Sequence, residues 1–162
     1  MRKTLLFVLL LAASVLSTAA RAQGPNTGVN VQIQPVVGQG RYCLDARGDR
    51  DQDGAPVFIY ACRGSENQHW TIASATDDKH AILGIGGFCL DAGGGSPQPG
   101  ANTTQLWRCH FGATQRFVFT PDGHIRESGT NKCLMAVAPR DAAPVVLDTC
   151  NANPNEAFVV RH

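Results

Sequence analysis

The chain has 162 residues, with 14 basic and 13 acidic side chains and a formal charge of +1 at pH 7. That near balance, with no basic stripe, argues against a phosphate-backbone partner, so nucleic acid is not expected. Its 17 Gly and 9 Pro argue against long helices, and its length suits one ordinary domain with a core of its own.

The first 22 residues read as a removable leader. Arg2 and Lys3 form a positive start, Leu5 to Leu16 an apolar run, and Ala20-Arg21-Ala22 a small-residue cleavage site. The run is too short for a stop-transfer helix across ~30 Å of hydrocarbon. Cleavage after Ala22 removes Arg2, Lys3 and Arg21 and no acid, leaving 11 basic residues against 13 acidic ones. The expected product is an exported protein, extracellular or periplasmic, of residues 23–162. Residues 23–28 would be a short N-terminal segment.

All six cysteines lie beyond this leader, and six permit 15 connectivities. No C-x₂-C pair supports a zinc site. Aligning the chain on its cysteines exposes a repeat. Tyr42-Cys43-Leu44-Asp45-Ala46 matches Phe88-Cys89-Leu90-Asp91-Ala92 and Lys132-Cys133-Leu134-Met135-Ala136. A second cysteine follows each first one after 19, 20 and 17 residues. Beyond it come Gln68-His69-Trp70, Gln115-Arg116-Phe117 and Glu156-Ala157-Phe158. The three copies span roughly 29–73, 74–120 and 121–162. Each contains a short β-favouring run: Val57 to Tyr60, Thr104 to Trp107 and Val145 to Leu147. Turn-rich stretches precede these runs, at Asp49 to Pro56, Gly93 to Asn102 and Pro139 to Pro144.

The expectation is an all-β chain. Three units are too few for a propeller, and no capping repeats mark a solenoid, so a closed pseudo-threefold assembly fits best. Equivalent cysteines should then pair equivalently: Cys43–Cys62, Cys89–Cys109 and Cys133–Cys150.

A threefold repeat carrying C-L-D near its start, Q-x-W or Q-x-F near its end and a disulfide between resembles the ricin-B-type lectin family. The likeness covers residues 29–162. It implies a β-trefoil, with Trp70, Phe117 and Phe158 in the shared core. It also implies carbohydrate binding without catalysis or cofactor. In that family a carboxylate follows the first cysteine by two and an aromatic precedes the second by two. An amide precedes the second cysteine by four, and another stands before the Gln of Q-x-W. A carboxylate accepts strong bonds from adjacent sugar hydroxyls, and a ring packs against the sugar's C–H face.

On these positions the second repeat matches best, with Asp91, Gln105, Trp107, Thr114 (where Asn is usual) and Gln115. The first offers Asp45, Tyr60, Asn67 and Gln68, with Phe58 in place of the amide. The third, with Met135, Val146, Asp148 and Glu156, lacks a carboxylate–aromatic pair and is expected to be structural. Galactose, N-acetylgalactosamine and xylose-containing glycans are all plausible ligands, and a separate toxin or enzyme chain is a plausible partner. The alternative class is a non-catalytic protein-binding trefoil: an inhibitor, or a delivery or adhesion subunit.

Other motifs carry less. Asp49-Arg50-Asp51-Gln52-Asp53-Gly54 opens like a calcium loop, but its bidentate position falls on Tyr60, so a turn is expected and no metal. Arg47-Gly48-Asp49 is only a tripeptide. No G-x-S-x-G or H-E-x-x-H occurs, and a threefold fold would hold Asp45 and Asp91 far apart, so no catalytic residues are expected.

Overall fold

The computed structural model describes residues 28–49, 51–93 and 103–162. The expected leader and most of the stretch Gly93 to Asn102 lie outside them. Twelve strands are described, four to each repeat. The first repeat holds β1 (Gln32–Pro35), β2 (Tyr42–Ala46), β3 (Ala55–Ala61) and β4 (Thr71–Thr76). The second holds β5 (Lys79–Leu83), β6 (Cys89–Asp91), β7 (Gln105–Trp107) and β8 (Phe117–Phe119). The third holds β9 (Ile125–Glu127), β10 (Lys132–Ala136), β11 (Ala143–Thr149) and β12 (Phe158–Arg161).

The fourth strand of each repeat pairs antiparallel with the first strand of the next. These pairs are β4–β5, β8–β9 and β12–β1, the last joining chain end to chain start. Bridges at Val31–Trp70, His80–Phe117 and His124–Ala157 tie first to fourth strand within each repeat. The six strands therefore close on themselves, which removes open sheet edges. The remaining six form three hairpins, β2–β3, β6–β7 and β10–β11. These meet one another through Ala143–Ile59, Ala55–Leu106 and Thr103–Val146. At that junction Val57 N–H donates to Thr104 O and Thr104 N–H to Val145 O, both at 3.0 Å. This is a β-trefoil.

Strand alternation explains which side chains enter the core. In β3, Ala55, Val57 and Ile59 are buried while Pro56, Phe58 and Tyr60 face outward; β11 repeats this with Ala143, Val145 and Leu147 inward. The Q-x-W aromatics close the core from the barrel side: Trp70 and Phe117 are fully buried and Phe158 nearly so. Trp70 keeps its indole N–H satisfied by donating to Leu44 O at 3.0 Å. A Cβ at Gly84 would stand 2.8 Å from the Trp70 ring, which reserves that position for glycine.

The three disulfides are those that the repeat predicts, Cys43–Cys62, Cys89–Cys109 and Cys133–Cys150, with Cα separations of 5.0–5.1 Å. Short 3-10 turns, absent from the sequence reading, precede each closing strand at Glu66–Gln68, Ala113–Gln115 and Pro154–Glu156. Gln52 to Gly54 of the Asp-rich run form a turn. Its Asp53 bridges to the next repeat, accepting from Arg108 N–H at 2.7 Å and pairing with Arg108 Nε at 3.2 Å. Asp141 makes the equivalent contact one repeat earlier, accepting from Ala61 N–H at 2.7 Å.

Candidate functional site

Hairpin register assembles the predicted site residues. The first cysteine of each repeat faces the residue two before the second: Cys43–Tyr60, Cys89–Trp107 and Cys133–Asp148. Two residues on, Asp45 faces Phe58, Asp91 faces Gln105 and Met135 faces Val146. Directly opposed antiparallel residues share a face, and so do residues two apart. Carboxylate, amide position and aromatic therefore lie together on the outer face, while Leu44–Ile59, Leu90–Leu106 and Leu134–Leu147 fill the core.

In the first repeat, Asp45 is 3% exposed. The 3-10 turn before β4 supplies its donors: Asn67 Nδ2 to Oδ1 at 2.9 Å and Gln68 Nε2 to Oδ2 at 2.8 Å. Gln68 also donates to Ala61 O at 2.9 Å and accepts from Arg63 N–H at 2.8 Å. It is fully buried, so it holds Asp45 in place and does not face solvent. A cavity of about 600 Å³ is lined by Asp45, Asn67 and Ser65 together with Phe58 and Tyr60. Ser65 Oγ and Asn67 Oδ1 are themselves buried, without a hydrogen-bond partner among the described residues. The remaining wall is Arg47, Gly48, Arg63 and, from the third repeat, Ala142. Gly48 has φ of 75°, the left-handed region in which glycine is unstrained. None of these four is predicted from the sequence. Arg47 and Arg63 follow site positions closely enough to have been flagged, whereas Ala142 becomes a neighbour only through the trefoil.

In the second repeat, Asp91 is fully buried. Gln115 plays the Gln68 role, donating to Asp91 Oδ2 at 2.9 Å and to Arg108 O at 3.1 Å while accepting from His110 N–H at 2.8 Å. Thr114, with its shorter reach, lies 3.4 Å from the same oxygen. His110 makes up the difference: its Nε2 is 3.3 Å from Asp91 Oδ2, and its Nδ1 accepts from Gly112 N–H at 3.0 Å. That bond orients the ring with Nε2 toward the carboxylate. The sequence reading missed His110; its place directly after Cys109 was the available signal. Trp107 is half-buried on the same face, and Gln105 Nε2 is buried with no hydrogen-bond partner among the described residues.

The third repeat keeps the scaffold and drops the chemistry. Glu156 Oε2 accepts from Asn151 N–H at 2.9 Å, as the Gln side chains do in the other repeats. Thr149 O, which an amide at position 156 would serve, accepts instead from Asn151 Nδ2 at 2.8 Å. Met135 takes the carboxylate position beside Asn153 Nδ2, and Asp148 points to solvent and accepts from Thr149 N–H. Nearby His124, Cys133 and Glu156 come within 4.8 Å of one another, but the Cys133 sulfur is spent in a disulfide, so no thiolate is offered to a metal.

Comparison with known proteins agrees with this geometry. Residues 80–162 match the model of the ricin-type β-trefoil lectin domain, and residues 21–106 that of the ricin-type β-trefoil lectin domain-like family. Polypeptide N-acetylgalactosaminyltransferase 6 of Bos taurus is 28% identical over 127 residues, 73% of this chain and 18% of that protein. The chain thus spans less than a fifth of that relative. Among solved structures, the designed threefold-symmetric protein ThreeFoil superposes with a TM-score of 0.71 at 22% identity, covering 82% of this chain and 97% of that one. The earthworm R-type lectin C-half in complex with GalNAc gives 0.65 at 13% identity, over 83% and 98%. The chain belongs to the ricin-type β-trefoil lectin domain family.

Proposed function

We propose that this protein is a secreted lectin that binds glycans without transforming them, with its principal pocket in the first repeat. The observation that carries this is the cavity beside Asp45, which the rings of Phe58 and Tyr60 and the polar residues Asn67 and Ser65 also line. A carboxylate beside two aromatic rings suits a polyhydroxylated ligand, whose hydroxyls donate to the carboxylate and whose C–H face packs on a ring. This ranking reverses the order of match in the sequence, which favours the second repeat. There His110 and Thr114 already approach Asp91, and the site around Asp91, Gln105 and Trp107 is the secondary candidate. Export is supported by the leader-like residues 1–22 and by three disulfides, which persist in oxidising compartments.

A glycan array read with wild type, Asp45→Asn and Trp107→Ala tests the reading. Asp45→Asn is expected to lose most binding and Trp107→Ala to retain it. Binding that survives Asp45→Asn and vanishes with Trp107→Ala would restore the second repeat as the main site. An array on which wild type binds nothing would remove the lectin function.

A further inference from the structure

We propose that the first-repeat pocket selects an acidic sugar, one bearing a carboxylate or a sulfate, over its neutral counterpart; this rests on the reading of that pocket as a glycan site. Two guanidiniums line the cavity from separate loops, Arg47 just after β2 and Arg63 just after Cys62. Each lies over an aromatic ring of β3. Arg63 Cζ is 4.9 Å from the Tyr60 ring centroid, and Arg47 Cζ is 5.5 Å from that of Phe58. A neutral sugar stacking on either ring would compete with a guanidinium for the ring face. An acidic sugar has a use for both arginines where they are.

Stacking holds a guanidinium flat and leaves its in-plane N–H donors free, a fork that matches carboxylate or sulfate oxygens. Among the described residues neither arginine belongs to an ion pair, the pairs there being Arg108–Asp53, His110–Asp91 and His124–Asp122. Asp45 is, among the described residues, the single carboxylate lining the cavity, against two arginines. Its oxygens are held from behind by Asn67 and Gln68. The neighbouring Asp141, beside Ala142, accepts from Ala61 N–H. The cavity thus separates its chemistry: acceptors for hydroxyls at the base, cationic forks on the walls.

The fold does not require this charge. At the position of Arg47 the other repeats have Gly93 and Val137, and at that of Arg63 they have His110 and Asn151. The arginine pair is peculiar to the first repeat.

The test uses an array of matched neutral and acidic glycans, with titration of methyl galactoside, methyl galacturonide and galactose 6-sulfate. Wild type, Arg47→Gln/Arg63→Gln and Asp45→Asn are compared at low and high NaCl. Wild type is expected to bind acidic members about tenfold tighter or more, since a charge-assisted bond contributes at least that factor. The preference should shrink with salt and disappear in the double Gln variant, while Asp45→Asn weakens both classes. The galacturonide and 6-sulfate arms separate carboxylate from sulfate recognition. Equal affinity for neutral and acidic members, or a preference that survives the double variant, overturns the proposal and leaves the lectin reading standing. No binding to either class overturns both.

Discussion

Replacing Gln68 tests the clamp that positions the first-repeat carboxylate. The side chain is fully buried and makes three hydrogen bonds, to Asp45 Oδ2, Ala61 O and Arg63 N–H, at 2.8–2.9 Å. Gln68→Ala strips a partner from each. A buried group left unsatisfied costs about 1–3 kcal/mol, and relaxation or water will recover part of the sum, so a loss of ~3–5 kcal/mol is expected. For a domain of this size that corresponds to a fall in Tm of ~10–15 °C by calorimetry. Gln68→Glu should be worse at neutral pH. It keeps the acceptor for Arg63 N–H but turns the donor into an oxygen facing Asp45 Oδ2 at 2.8 Å and Ala61 O at 2.9 Å. Two carboxylates that close cannot both ionise cheaply, so one of the pair has a folded-state pKa raised above its unfolded value. Stability is then retained below the unfolded carboxylate range and lost as pH rises through the raised value. The Tm gap between Gln68→Glu and wild type should therefore widen from about pH 4 to pH 7. A Gln68→Ala drop under ~3 °C, or a Gln68→Glu gap independent of pH, would refute the clamp.

Glu156→Gln removes a buried acceptor, Oε1, that has no hydrogen-bond partner among the described residues, while preserving the bond from Asn151 N–H; it should stabilise by ~1 kcal/mol in urea unfolding. Trp70→Phe, which copies the other two repeats, forfeits the bond to Leu44 O and some ring volume and should cost ~1–3 kcal/mol by the same measurement. Replacing both Cys133 and Cys150 by Ser should lower stability by ~2–4 kcal/mol, and non-reduced peptide mapping of the wild type should recover each bridge within its own repeat.

Much of the molecule was legible from spacing. Three cysteine pairs at matching phase dictate equivalent hairpins and equivalent bridges. A side-chain period of two then sends Leu44, Leu90 and Leu134 inward and Asp45, Asp91 and Met135 outward. These are local consequences of strand geometry, readable without a partner in space. The departure of the third repeat from the carboxylate–aromatic pattern is equally visible in Met135 and Asp148.

That a cavity lies beside Asp45, lined by Arg47, Arg63 and Ala142, was decided only by the tertiary structure, because it depends on the loops that return over the outer face. Arg47 and Arg63 come to rest on aromatic rings, His110 swings against Asp91, and Ala142 arrives from a repeat some eighty residues away in sequence. The Asp53 and Asp141 contacts that join neighbouring repeats are likewise products of threefold closure. Alignment shows which positions the repeats share, whereas the pocket lining depends on how loops particular to one repeat fold back and on Ala142 from another.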